Sequence, residues 1–164
     1  MSFTYARTVA PYAVHVHDGR YYVWGVLEGE PAPKLYALDR MAEVVLEADA
    51  FVPDPGLALD DALRHSFGTM VGDGPVQDVV VRFSADAAAF VRCRRWPAQT
   101  QMEERGDGTL ALTFTVTRSE ELVAWTLSFG GAATIESPPA ARDALRSAAR
   151  RVLRACEPAP PSRT

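Results

Sequence analysis

Residues 14–27 run Val14-His15-Val16-His17-Asp18-Gly19-Arg20-Tyr21-Tyr22-Val23-Trp24-Gly25-Val26-Leu27. Before Asp18 apolar and polar side chains alternate, and after Gly19 aromatic and β-branched residues dominate, so the stretch reads as two strands joined by a tight turn. Asp-Gly suits a type I′ turn, because both central residues of that turn need positive φ. The second strand has few polar positions. It is expected to be covered on both faces or to form one wall of a small barrel, with Tyr21 and Trp24 in the core.

Upstream, residues 2–9 alternate as a strand, which Pro11 is expected to end because proline cannot donate to a central ladder. Downstream, Glu28-Gly29-Glu30-Pro31-Ala32-Pro33 is turn chemistry. Residues 34–38 and 41–48 then read as two further short strands, the second carried by Val44, Val45 and Leu46. Short strands linked by tight turns suggest a small barrel. Residues 51–59 are an extended, proline-bearing connection. Residues 60–68 read as a short helix, with Asp60 and Asp61 in its first turn, His65 in its last and Gly68 as its stop. Residues 71–76 hold two glycines, an aspartate and a proline, and are read as a linker.

Beyond the linker the periodicity changes. Residues 77–83 form a strand around Val79-Val80-Val81, and Ser84 is an N-cap for a helix over 85–95. Residues 98–105 are polar and extended, Gly106-Asp107-Gly108 turns, and 109–117 alternate through Leu110, Leu112, Phe114 and Val116. A helix from Ser119 to Gly130-Gly131 carries Leu122, Val123, Trp125 and Phe129. A short strand follows over 133–136, then a helix over 140–156 with Leu145, Ala149, Val152 and Ala155 on one face. Strand, helix, two strands, helix, strand is a split βαβ pattern, which fits a ferredoxin-like sheet with a terminal helix. The expected layout is thus α+β: a barrel domain over 1–70, a linker over 71–76, a ferredoxin-like domain over 77–156 and a disordered proline-rich tail over 157–164.

The chain has 164 residues, 48% of them hydrophobic, enough for one or two compact domains. No run of about 18 apolar residues exists, so no membrane span is expected. The N-terminus lacks the basic-then-apolar layout of a signal peptide, which makes the cytoplasm the expected location. Cys93 and Cys156 stand far apart without metal-ligand spacing and read as reduced thiols. Net charge is −4, which argues against a nucleic-acid binder held by bulk electrostatics. Residues 1–75 hold 5 basic and 11 acidic side chains, and residues 76–164 hold 12 and 10. That change of sign supports a boundary near Gly74-Pro75.

Pro11-Tyr12, Gly19-Arg20-Tyr21-Tyr22-Val23 and Leu35-Tyr36-Ala37-Leu38-Asp39-Arg40-Met41 together resemble the WYL domain of bacterial transcriptional regulators. The family's Trp-Tyr-Leu tripeptide stands here as Tyr21-Tyr22-Val23, with its middle residue kept. Arg94-Arg95-Trp96, Gly106 to Leu112 and Trp125-Thr126-Leu127-Ser128-Phe129-Gly130 are similar to the C-terminal extension found with many WYL domains. The resemblance implies an arginine on a basic pocket at Arg40. Arg20 and Tyr22 lie on the hairpin strand, where a guanidinium and an aromatic face could hold a phosphate and stack a base. Arg7 and Tyr12 could line the same face. Arg92, Arg94 and Arg95 beside Trp96 form the densest basic cluster, open either to solvent or to a nucleic-acid or subunit contact.

Other combinations are weaker. His15 and His17, two apart on one strand, point the same way and read as solvent-facing rather than as a metal pair. His65-Ser66 with Asp60-Asp61 has helix spacing, and no Gly-x-Ser-x-Gly elbow exists, so no enzyme is expected. No cofactor motif is present. The resemblance implies an effector-sensing region that binds an anionic ligand, such as single-stranded nucleic acid or a nucleotide, and acts as a homodimer; a ligand-free dimerisation module is the alternative, and a hydrolase-type enzyme acting through the His65 region a weaker one. Family members usually carry a winged helix-turn-helix ahead of this domain, and residues 1–12 cannot hold one, so the DNA-binding element is expected upstream or on a partner chain.

Overall fold

The structure, a computed structural model, describes residues 6–157. Among these residues it is α+β, with two antiparallel sheets and four α-helices. The chain divides into two units, one ending at Arg64 and the other beginning at His65. Half of the strand expected over 2–9 and most of the expected tail lie outside the described residues.

In the first unit β1 (Val9–His17), β2 (Arg20–Leu27) and β3 (Lys34–Ala37) form a meander in that order. The turn is as expected: Asp18 has φ 47° and Gly19 φ 74°. Pro11 does not end a strand. Residues 6–8 are irregular, β1 begins at Val9, and it runs through Pro11 with a register shift between Pro11 and Ala13. Among the described residues β1 pairs only with β2, and an edge strand with a bulge is where a residue lacking an N–H fits without disrupting a ladder. Gly25 is fixed by the same bulge, since a Cβ there would lie 2.6 Å from the Ala10 carbonyl oxygen and 2.7 Å from Val9 Cγ1.

Side chains alternate across this sheet. Trp24 is 2% exposed, and its indole N–H donates to the Leu57 carbonyl at 2.7 Å. Tyr21 was expected in the core but points to the other face and is 58% exposed, because that face is uncovered at the hairpin tip. The strand expected over 41–48 does not form. After the 3-10 turn Leu38–Arg40 the chain is irregular up to Asp54, Glu43 takes φ 53°, and Leu46 is 96% exposed. Val44, Val45 and Leu46 have strand propensity, but no described strand offers them a ladder, and propensity alone does not hold a lone strand. The helix expected over 60–68 is shortened to α1 (Leu59–Leu63), so His65 is not in its last turn.

The second unit runs β4 (Gln77–Phe83), α2 (Ala85–Val91), β5 (Gln99–Glu104), β6 (Leu110–Val116), α3 (Glu120–Leu127), β7 (Ala133–Ser137) and α4 (Pro139–Cys156). Its strands lie in the order β5-β6-β4-β7, every neighbouring pair antiparallel. Val79, Val81 and Phe83 of β4 and Leu110, Leu112, Phe114 and Val116 of β6 alternate into the core and are fully buried. Ser84 caps α2, its hydroxyl accepting from the Ala87 N–H at 3.4 Å. α2 stops at Val91 instead of reaching Arg95, and the Trp96 indole donates to the Val91 carbonyl at 3.2 Å as the chain turns inward. Trp125 is the aromatic hub, with ring centroids 4.7 Å from Trp96, 5.0 Å from Phe67 and 5.1 Å from Phe129.

Residues 65–70 pack with this unit. Phe67 enters its core, and the Glu121 carboxylate accepts from the Thr69 N–H at 2.9 Å, the Thr69 hydroxyl at 3.0 Å and the Met70 N–H at 3.0 Å. On α4 the buried stripe is Ala141, Leu145 and Ala148; Ala149, Val152 and Ala155 are exposed. The 18-residue helix is about 27 Å long, longer than the five-residue strand β7 beside it at roughly 17 Å, so its last turns carry an apolar face with nothing to cover.

Candidate ligand-binding site

The hairpin register decides which side chains share a face. His17 lies opposite Arg20 and His15 opposite Tyr22, and directly opposed residues in an antiparallel pair project to the same side. His15, His17, Arg20 and Tyr22 therefore occupy one face at the hairpin tip. The two imidazoles lie near parallel, 16° apart, with centroids separated by 6.2 Å. The Arg20 guanidinium carbon lies 5.9 Å from the Tyr22 ring centroid, the cation-over-aromatic placement anticipated for this strand.

Arg20 is also anchored. Its Nε and terminal nitrogen donate to one Asp39 carboxylate oxygen at 3.0 and 2.6 Å, and that hydrogen bond, with the Asp39 charge, raises its pKa further above the usual arginine range. The contact ties the 3-10 turn Leu38–Arg40 to the start of β2, so that Arg40 leaves the turn one residue beyond the anchored carboxylate. Arg40 is exposed and makes no ion pair among the described residues. The carboxylate that could have neutralised it belongs to Arg20.

Burial first, and His17 second, lower the His15 pKa below its ordinary value of 6.5. His17 Nε2 lies 3.5 Å from an Asp18 carboxylate oxygen. Neither histidine points freely into solvent as the sequence suggested; both are half-buried.

The other expected site residues lie elsewhere. Arg7 is exposed at the opposite end of the hairpin, where its charge adds to the stronger hold of Lys34 on Glu30, whose pKa is lowered. Tyr12 sits at the bulge, its ring 5.5 Å from Phe51 and its hydroxyl accepting from the Asp54 N–H at 3.4 Å, so it serves the 51–54 segment. In the second unit Arg92 faces Glu104 at 3.8 Å, Arg94 lies 5.3 Å from the Trp96 ring centroid, and Arg95 is exposed. Two of these three arginines thus already have partners. His65 Nδ1 lies 3.3 Å from the Thr115 carbonyl oxygen, and the Ser66 hydroxyl donates to the Gly68 and Met70 carbonyls at 3.0 and 3.2 Å. These groups hold the 65–70 turn. No helix among the described residues is long and apolar enough to cross a membrane.

Residues 3–46 match the WYL domain model, and residues 75–153 match the WCX domain model. The chain carries a WYL domain followed by a WCX domain. The WYL match spans the hairpin, β3 and the turn that carries Arg40. The WCX match spans every strand and helix of the second unit except the last residues of α4. No curated protein matches the chain. Among solved structures it is similar to proteasome accessory factor B/C of Arthrobacter aurescens, at 21% identity with a TM-score of 0.42 over 96% of this chain and 24% of that one. The chain spans about a quarter of the length of that structure.

Proposed function

We propose that the WYL domain senses an anionic ligand, single-stranded nucleic acid or a nucleotide, at the hairpin-tip face, and that the chain is the effector-sensing part of a cytoplasmic transcriptional regulator. One observation carries this: Arg20 is fixed by Asp39 over Tyr22, while the adjacent Arg40 keeps its charge unneutralised. A guanidinium held in place loses little freedom on meeting a phosphate, and the tyrosine ring offers a surface for a base. Arg7 and Tyr12, at or near the other end of β1, and the Arg92, Arg94 and Arg95 cluster would be secondary contacts.

The regulatory mechanism is binding coupled to a change in how two copies associate, which biases DNA binding by a helix-turn-helix elsewhere. The connectivity and strand order of the WCX domain support a ferredoxin-like description over 77–156. The β1-β2-β3 meander supports a small Sm-like or SH3-like barrel for the WYL domain. A second possibility, a ligand-free dimerisation module, is favoured by the opposite face of the hairpin, where Val14, Val16 and Tyr21 are exposed together.

Fluorescence anisotropy with short single-stranded DNA and RNA over a salt series tests the sensor. Affinity should fall as salt rises, and Arg40→Ala should remove most of it. Equal weak binding by wild type and variant would favour the dimerisation module.

A further inference from the structure

The fixed charges on and beside the hairpin-tip face are Asp18, Arg20, Asp39 and Arg40, two of each sign. With neutral imidazoles these charges cancel, so a phosphate meets a local positive region around Arg40 but no net positive face. His15, His17 and Tyr22 are the other titratable side chains that share the face with Arg20. Each proton taken up by an imidazole adds a full positive charge beside Arg20.

The geometry points to His15 and His17 as a second wall of the proposed anion site, an imidazole pair that donates to ligand phosphates and tightens the hold as pH falls. This rests on the sensor reading above. Three features support it: the two rings lie parallel on one strand, each stands opposite a residue of the candidate site, and both are half-buried. In the free protein burial first, and the neighbouring His17 second, disfavour a proton on His15, while the Asp18 carboxylate lies 3.5 Å from His17 Nε2. A bound phosphate offsets these effects by placing negative charge beside the imidazoles. Ligand binding therefore takes up protons, and by linkage its affinity rises as pH drops through the histidine range.

The test is anisotropy with a labelled single-stranded oligodeoxythymidylate at fixed salt, from about pH 8 to about pH 5.5. Neither phosphodiester nor thymine titrates there. Affinity of the wild type should rise by about tenfold for each unit by which binding raises a histidine pKa. His15→Gln/His17→Gln should show a flat profile and should bind at no pH more tightly than the wild type does at pH 8. In the wild type, imidazole proton resonances should titrate at higher pH with the oligonucleotide than without it, which reads the same coupling without any variant. Binding that is independent of pH in the wild type, or a slope that survives in the double variant, would overturn the inference and leave the sensor standing. No binding at any pH, or binding indifferent to Arg40→Ala, would remove the sensor itself and this inference with it.

Discussion

The two units spend their apolar residues differently. In the second, Val79, Val81, Phe83, Leu110, Leu112, Phe114 and Val116 alternate from two central strands into one core and are closed off from solvent. In the first, Trp24 is the only large apolar side chain buried to that degree among the described residues, while Val14, Val16, Tyr21, Val44, Val45 and Leu46 face outward. Burial of apolar area contributes about 25 cal/mol per Å², so the second unit holds most of the stability and the first has little in reserve. A scaffold that stays shut and a sheet that opens cheaply are suited to different work. Sites that bind and switch are drawn from the less stable parts of a protein.

The largest expected effect tests the stable side of that contrast. Trp125→Ala removes the ring shared by Phe67, Phe83, Trp96, Phe114 and Phe129 and should cost about 3–5 kcal/mol in urea unfolding. Amide exchange should accelerate across β4 to β7 and stay unchanged in β1 and β2; acceleration in both would show that the units unfold as one. Gly25→Ala tests the weaker side. Its new methyl group would press on the Ala10 carbonyl and Val9, costing about 1–3 kcal/mol, with exchange speeding up in the hairpin alone.

Smaller effects sharpen the boundary. Glu121→Ala leaves the Thr69 and Met70 N–H groups without their acceptor and should cost about 1–2 kcal/mol, read as proteolysis near residue 69. Cleavage unchanged from wild type would mean that Phe67 alone anchors this turn. Acid gives the smallest effect. Hydrogen bonds from Arg105, at 2.8 Å to each oxygen, lower the Glu136 pKa below its ordinary 4.5. A carboxyl lowered on folding contributes stability that is complete above its unfolded pKa and lost as pH falls through its folded one. The second unit should therefore melt lower below about pH 4.5, and Glu136→Gln should reduce that slope.

Local signals made much of the fold legible. Asp18-Gly19 specified its own turn, because the need for positive φ is a property of two residues. Ser84 specified a helix start and the alternation from Leu110 to Val116 a strand, each for equally local reasons, whereas α3 ends at Leu127, ahead of the stop expected at Gly130-Gly131. The errors arose where a partner decides. Pro11 was read as a strand end because its sequence does not say that β1 lies on an edge with a bulge. Residues 41–48 read as a strand because propensity cannot report that no strand among the described residues pairs with them. On α4 Leu145 packs on the core as expected while Ala149, Val152 and Ala155 are exposed, since periodicity sets a face but not the length of core beneath it.

The candidate site divides the same way. Arg20, Tyr22 and Arg40 could be named from their chemistry and from the family resemblance. That Asp39 belongs to Arg20 and leaves Arg40 its charge is a matter of through-space geometry across 19 positions of sequence. So is the sharing of one face by His15, His17, Arg20 and Tyr22. The sequence by itself determined turn, period and capping, because those depend on neighbours along the chain. Tertiary structure alone decided register, edge and charge pairing, because those depend on which strand lies alongside.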